Sequence, residues 1–165
     1  MKYARGFTLM ELLIVITLIL IIAAITIPSL TKAKIHADEA SAVGSLRAIN
    51  QAEVSYQAAF GGFADLLANL GGDDPCSRST ATACLLDQSL AGGVKDGYHF
   101  TAVGFGPAKG SNTTFLAGAA PVDFDHTGQR LFCTTDKNVI RVDLNTEGSM
   151  VPPDSEQCAG FKALQ

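Results

Sequence analysis

The hydrophobic pattern along this chain passes through three regimes. Residues 12–31 hold twenty consecutive positions without a charge. At a rise of 1.5 Å per residue, a helix of that length spans about 30 Å, the hydrocarbon thickness of a bilayer. From 31 to 60 the pattern becomes one-sided: Ile35, Ala42, Leu46, Ile49, Tyr56 and Phe60 recur at spacings of three, four and seven, while Lys34, Asp38, Arg47, Asn50 and Gln57 fall elsewhere. Together these stretches predict one long helix, apolar all round in its first half and amphipathic in its second. Pro28 removes a backbone donor and crowds the preceding turn, so a bend or local melting is expected there. Gly44 is a second weak point.

Gly61-Gly62 ends the helix. Residues 63–70 (FADLLANL) read as a short helix, 71–75 as a turn cluster, and 84–90 as another helical turn. From Gly97 the period switches to two, with Tyr98, Phe100 and Ala102 alternating with His99 and Thr101 and the run reaching Phe105. Residues 113–120, 130–135 and 139–144 are further strand candidates, the last two joined through Asp136-Lys137-Asn138 as a hairpin, and 151–165 reads as irregular tail. Strands following helices predict an α+β fold: a long N-terminal helix whose second half packs on a small antiparallel β-sheet of three or four strands.

Charge adds the unusual feature. A short basic leader (Lys2, Arg5) is followed by Gly6, Phe7 and then a lone carboxylate, Glu11, inside an otherwise apolar segment. The apolar core is too long for a secretory signal peptide, and no A-x-A cleavage pattern stands behind it. A plain signal anchor fits the length and the basic cytoplasmic flank. It leaves Glu11 unexplained, since an acid in mid-membrane costs about 2.5 to 3.5 kcal/mol and less near an end.

The run GFTLMELLIV, residues 6–15, resembles the class III signal of type IV pilins and type II secretion pseudopilins. The resemblance covers about residues 5–35. It implies a leader of residues 1–6 removed by a prepilin peptidase between Gly6 and Phe7, N-methylation of Phe7, and Glu11 as the fifth residue of the mature chain. Pro28 stands where that family often kinks or melts its helix. The implied domains are a transmembrane and assembly helix over 7–31, its amphipathic continuation over 32–60, and a pilin-like head over 61–165.

Physical chemistry says why such a subunit needs the acid. Removal of the leader leaves a free ammonium on Phe7, at the start of a helix that other helices pack against in a medium of low dielectric constant. A buried charge needs a partner, and Glu11 of a neighbouring subunit can supply it, setting axial register as one buried polar residue does in a coiled coil. The competing role is local: Glu11 favours the positive end of its own helix, worth up to about 1 kcal/mol. The stripe from Leu46 to Phe60 is expected to serve the chain's own head, and 35–43 to face neighbouring subunits.

Formal net charge is −4, from 12 Lys and Arg against 16 Asp and Glu, and loss of Lys2 and Arg5 takes it to −6. An acidic surface is a poor nucleic-acid binder. Cys76, Cys84, Cys133 and Cys158 all lie beyond the apolar segment, on the side that the basic leader places outside. Four cysteines allow three pairings. Spacing favours 76 with 84, and a strand-like run around 133 with a tail around 158 favours the second pair. The second pair also resembles the C-terminal disulfide loop of many pilins. Metal binding competes weakly, with no C-x-x-C and with His36, His99 and His126 scattered.

Asp123 to Gly128 (DFDHTG) opens with calcium-loop spacing, but Thr134 stands where the bidentate acid belongs, and a plain turn is preferred. Asn112-Thr113-Thr114 is a formal glycosylation sequon and suggests an exposed loop. No catalytic or cofactor motif is present, so neither an enzyme nor a resident cofactor or metal is expected.

The reading is a prepilin held in the inner membrane with its head in the periplasm, then cleaved, methylated and polymerised with identical or related subunits by an inner-membrane assembly platform. The filament would stand at the cell surface or in the periplasm. A type II secretion pseudopilin is the first alternative. A membrane-anchored periplasmic binding domain that never polymerises is the second.

Overall fold

The computed structural model describes residues 7–73, 75–107 and 111–164, with the backbone alone at 27 and 28. The chain divides into two compact units, with the boundary between Lys34 and Ile35. Helix α1, Leu9–Phe60, supplies the described part of the first unit apart from Phe7 and Thr8, and opens the second. Its backbone stays helical through position 28, so the melting expected at Pro28 is not found. In the first unit the hydroxyls of Thr17 and Thr26 donate to carbonyls within their own helix, Thr17 to Leu13 at 2.8 Å and Thr26 to Ile22 at 2.9 Å. Polar groups on an apolar helix are thereby satisfied internally, as a bilayer requires.

At its other end α1 stops at Gly61, whose φ of +84° only glycine adopts without strain, and whose N–H closes on Gln57 O at 2.8 Å. The expected short helix at 63–70 is confined to a 3-10 turn, Leu67–Leu70. Before it, Phe63 bridges Asn112 and Leu66 bridges Val103, so the chain there is extended against the sheet rather than helical. The helical turn expected at 84–90 forms later, as α2 Gln88–Ala91, because the Asp87 carboxylate caps it by accepting from Leu90 N–H at 3.1 Å.

The sheet has six antiparallel strands in sequence order: β1 Val94–Lys95, β2 Tyr98–Phe105, β3 Thr114–Pro121, β4 Leu131–Thr135, β5 Arg141–Asp143 and β6 Lys162–Ala163. The two strands beyond the expected number are the two-residue edges, too short for any period to register in sequence. Phe100 pairs with Ala119, and Gly118 with Cys133. One face carries Phe100, Ala102, Phe115, Ala117, Ala119 and Phe132, which share a core with Ala42, Leu46, Ile49, Ala52 and Tyr56 of α1.

The opposite face is covered as well. The tail was expected to be irregular, but it forms α3, Ser155–Gly160, and then β6. Asp154 and Gln157 cap α3 reciprocally, Gln157 N–H donating to Asp154 at 2.9 Å and Asp154 N–H to Gln157 at 3.0 Å. Pro152 and Pro153 lie over Gly118, so closely that a Cβ there would sit 3.0 Å from Pro153 Cδ. Leu116, Cys133 and Cys158 form a second small cluster with Phe161. Coverage on both faces explains why β3 is buried from Phe115 to Pro121 and reads as a continuous apolar run.

Two expectations about α1 are corrected. Ile35 is 6% exposed and Ala42 1%, and Ala42 and Val43 pack on the core of the head, so one side of 35–43 serves the chain's own head. The reason is Glu39 in their midst, which binds Arg130 through Nε at 2.9 Å and Nη2 at 2.6 Å and accepts from Gln129 N–H at 3.0 Å. Asn50, placed outside by its polarity, is also buried, its amide donating to Thr134 Oγ1 at 3.0 Å.

Arg130→Ala leaves Glu39 buried without its counter-charge. Complete loss of a buried partner costs about 3 to 5 kcal/mol. The Arg130 side chain is 36% exposed, so we expect a loss nearer 2 kcal/mol. Urea unfolding of the variant against wild type checks it; an unchanged midpoint would show that the pair is energetically idle.

Candidate functional site

The first unit presents an apolar surface with one acid at its start. Phe7 is 79% exposed, and nearly every large side chain from Leu9 to Leu30 is exposed. Among the described residues α1 is the one helix long and apolar enough to cross a membrane. Thr8 precedes it. Its Oγ1 accepts from Glu11 N–H at 3.2 Å, and Glu11 Oε2 accepts from Thr8 N–H at 3.4 Å and from Thr8 Oγ1–H at 3.3 Å. This is a reciprocal cap, T-x-x-E, which satisfies donors the helix start would otherwise leave open. The carboxylate is thus held at the positive end of its own helix. The sequence reading passed over Thr8, although its spacing to Glu11 ahead of an apolar run is the signature of such a cap.

Gly6, Lys2 and Arg5 lie outside the described residues, as does the side chain of Pro28. Phe7 and Glu11 are one helical turn apart in sequence. Nothing else between 7 and 31 is charged. The chemistry available here is a single negative charge on an apolar rod.

In the second unit the structure joins Cys76 to Cys84 and Cys133 to Cys158. The pairs differ in setting: Cys133 and Cys158 are buried at 0% and 1%, tying β4 to α3 across the tail-covered face, whereas Cys76 and Cys84 are exposed. The loop closed by the first pair is also tied by its backbone, Ala83 N–H to Asn69 O at 2.8 Å and Cys84 N–H to Gly71 O at 2.9 Å. The Tyr56 hydroxyl donates to Thr80 O at 2.7 Å.

Asp123 to Gly128 forms a tight turn, with Thr127 N–H and His126 N–H both donating to Asp123 O. Its second acid, Asp125, takes an amide hydrogen from Gln129 at 2.7 Å, and His126 lies 3.5 Å from the carboxylate of Asp123. Among the described residues no three of His, Cys, Asp or Glu gather as a metal ligand set. Asn112 departs from expectation. It is 5% exposed, and its amide donates to Phe63 O at 3.1 Å and to Asp65 at 2.8 Å, so the sequon is not an exposed loop. A buried amide nitrogen with two acceptors is unavailable for glycosylation in the folded state. The signal missed was polar demand: the backbone of the 63–66 segment needs a partner that β2 alone does not supply.

Titratable groups outside the apolar segment respond to these settings. Hydrogen bonding from Lys95 and the backbone of Leu90 holds Asp87 below the usual carboxylate range. Burial pushes the Tyr98 hydroxyl well up, and its proton goes to Arg130 O at 3.1 Å. Burial also raises Glu53, to about 7.

Residues 1–27 match the family described as the prokaryotic N-terminal methylation motif, which is the class III prepilin signal of type IV pilins and pseudopilins. No curated protein and no solved structure matches the chain.

The two disulfides are expected to differ in weight. Loop closure over 25 residues is worth about 3.5 kcal/mol and over 8 residues about 2.5 kcal/mol in the chain-entropy account. Replacing Cys133 and Cys158 by Ser also leaves two hydroxyls in an apolar cluster, so that variant should lose more than the Cys76/Cys84 double variant. Urea unfolding of the two side by side checks the order.

Proposed function

We propose that this chain is a structural subunit, a prepilin cleaved between Gly6 and Phe7, N-methylated on Phe7 and polymerised through its apolar helix into a type IV pilus-like filament. The observation that carries it is the placement of Glu11, the sole charge on residues 7–31, at the first turn of an exposed apolar helix directly after a Gly-Phe junction. The methylation motif over the same residues supports processing by a prepilin peptidase and assembly with pilin subunits. A membrane-anchored precursor with its head in the periplasm fits the one such apolar helix among the described residues.

Before assembly the segment from Leu9 to Leu30 lies in the bilayer, where its exposed side chains face lipid. Cleavage converts the Phe7 amide into an ammonium. In a helical bundle that cation is costly until an acid meets it, and Glu11 of an incoming subunit provides one; the same carboxylate is already oriented by Thr8. Adding a subunit therefore satisfies charges that are costly alone. Filament growth would be limited to the register in which Phe7 and Glu11 meet. Type II secretion pseudopili would use the same chemistry.

Intact-mass and N-terminal analysis of the protein from native membranes and from sheared surface material tests the reading. A chain beginning at methylated Phe7 in the sheared fraction is the expected result; the same chain confined to the envelope points to a pseudopilus, and an intact leader overturns the proposal. Glu11→Ala should be processed normally yet reduce sheared filament by about tenfold or more, since an unpaired charge in the bundle costs several kcal/mol. Wild-type filament yield from that variant would remove Glu11 from assembly.

A further inference from the structure

Among the described residues, two buried side-chain polar atoms have no hydrogen-bond partner: Glu53 Oε1 and Asn50 Oδ1. They belong to residues one turn apart on the buried face of α1, at 0% and 7% exposure. Their other atoms are committed. Glu53 Oε2 accepts from Ala64 N–H at 3.0 Å, just beyond the end of α1, and Asn50 Nδ2 donates to Thr134 Oγ1 at 3.0 Å on β4. An orphaned buried acceptor is uncommon in native folds and needs a cause. Both belong to residues three apart on one buried helix face, and a single proton placed between them would satisfy both.

The surroundings offer Glu53 no counter-charge. On α1 its titratable neighbour is Tyr56, whose hydroxyl is given to Thr80 O. From the segment after α1 comes Asp65, an acid whose carboxylate accepts from Asn112. From β4 comes Thr134, which carries no charge, while Cys133 belongs to the opposite face. Arg130 is bound to Glu39 and Lys95 to Asp87, and no ion pair reaches Glu53 among the described residues. An ionised carboxylate here would be buried against apolar side chains with one backbone N–H for support, which burial disfavours strongly.

We propose that Glu53 is held as the neutral acid with its proton on Oε1 shared to Asn50 Oδ1, so that Ala64, Glu53, Asn50 and Thr134 form one continuous hydrogen-bonded lock between α1, the turn after it and β4. The lock is a pH-sensitive device. Deprotonation removes its only donor between the two oxygens, leaves a charge in the core and loosens the joint between helix and sheet. Burial raises this carboxyl from 4.5 to about 7 in the fold. An acid whose pKa is raised on folding gives full stability below its unfolded value, and that stability is lost as pH rises from about 4.5 through about 7.

The test uses the full chain in detergent, with head unfolding in urea followed at pH 5 and pH 8. Wild type should unfold more readily at pH 8, its unfolding constant rising on the order of a hundredfold from this group. Glu53→Gln keeps an acceptor for Ala64 and gains an amide donor toward Asn50 without any titration; it should remove most of that rise and be the more stable protein at pH 8. A full pH dependence in that variant overturns the lock. Infrared spectroscopy of the folded wild type gives an independent readout: a protonated-carboxyl C=O band at pH 6 that fades through neutrality, is absent in Glu53→Gln, and shifts in Asn50→Ala as the acid loses its acceptor. No such band overturns the neutral acid and assigns the missing donor to a buried water. A band indifferent to Asn50→Ala overturns the shared proton.

Discussion

The constraint on which the structure depends is that a single helix must satisfy two solvents. Over 9–30 the described side chains of α1 are predominantly apolar and nearly all exposed; from Ile35 onward one face is buried and the other is wet. A helix apolar all round is stable in lipid or among its own kind, and a helix with one apolar face needs a sheet or another helix to cover it. The sheet at 94–163 is that cover for the second part. No described element covers the first.

The sheet in turn has two faces to bury, and α1 takes only one. The tail takes the other, with two prolines over Gly118, the capped helix α3 against β4, and Cys158 bonded to Cys133. The arrangement makes the disulfide more than a stop against fraying: it holds the second layer onto a strand whose opposite face supports α1. Cys76 and Cys84 close a loop that backbone hydrogen bonds already define, so the two cystines perform different tasks despite similar geometry.

The helix, the antiparallel sheet, the 136–138 hairpin and the acid in the apolar segment were legible because each rests on a long-range periodicity or on a single incongruous residue. What escaped depended on pairings that only the fold creates. Residues 35–43 were expected to face neighbouring subunits, and the burial of Glu39 in their midst makes sense only with Arg130 opposite, ninety-one residues away. Asn50 was set outside by its polarity and Asn112 by its sequon, and each is buried on partners from distant parts of the chain. The α3 cap is written locally as Asp154-Ser155-Glu156-Gln157 and the Thr8 cap as T-x-x-E, but the first follows two prolines that signal an irregular tail and the second shares its acid with the apolar segment.

Three glutamates on α1 show how little the residue type decides by itself. Glu11 stands exposed at the helix start, held by Thr8, with no cation in its own described chain to meet it. Glu39 is buried at 2% and is clamped by a guanidinium and a backbone N–H that converge on it. Glu53 is buried completely, has one N–H and no cation, and so keeps its proton near neutrality. Along one helix, the supply of partners sets whether a carboxyl is an unpaired charge, a clamp or a neutral acid. Glu11 is the one of the three whose charge is unmatched within the described residues, and an unmatched charge on an apolar surface is a reason for two such surfaces to come together only when each brings the other's counter-ion.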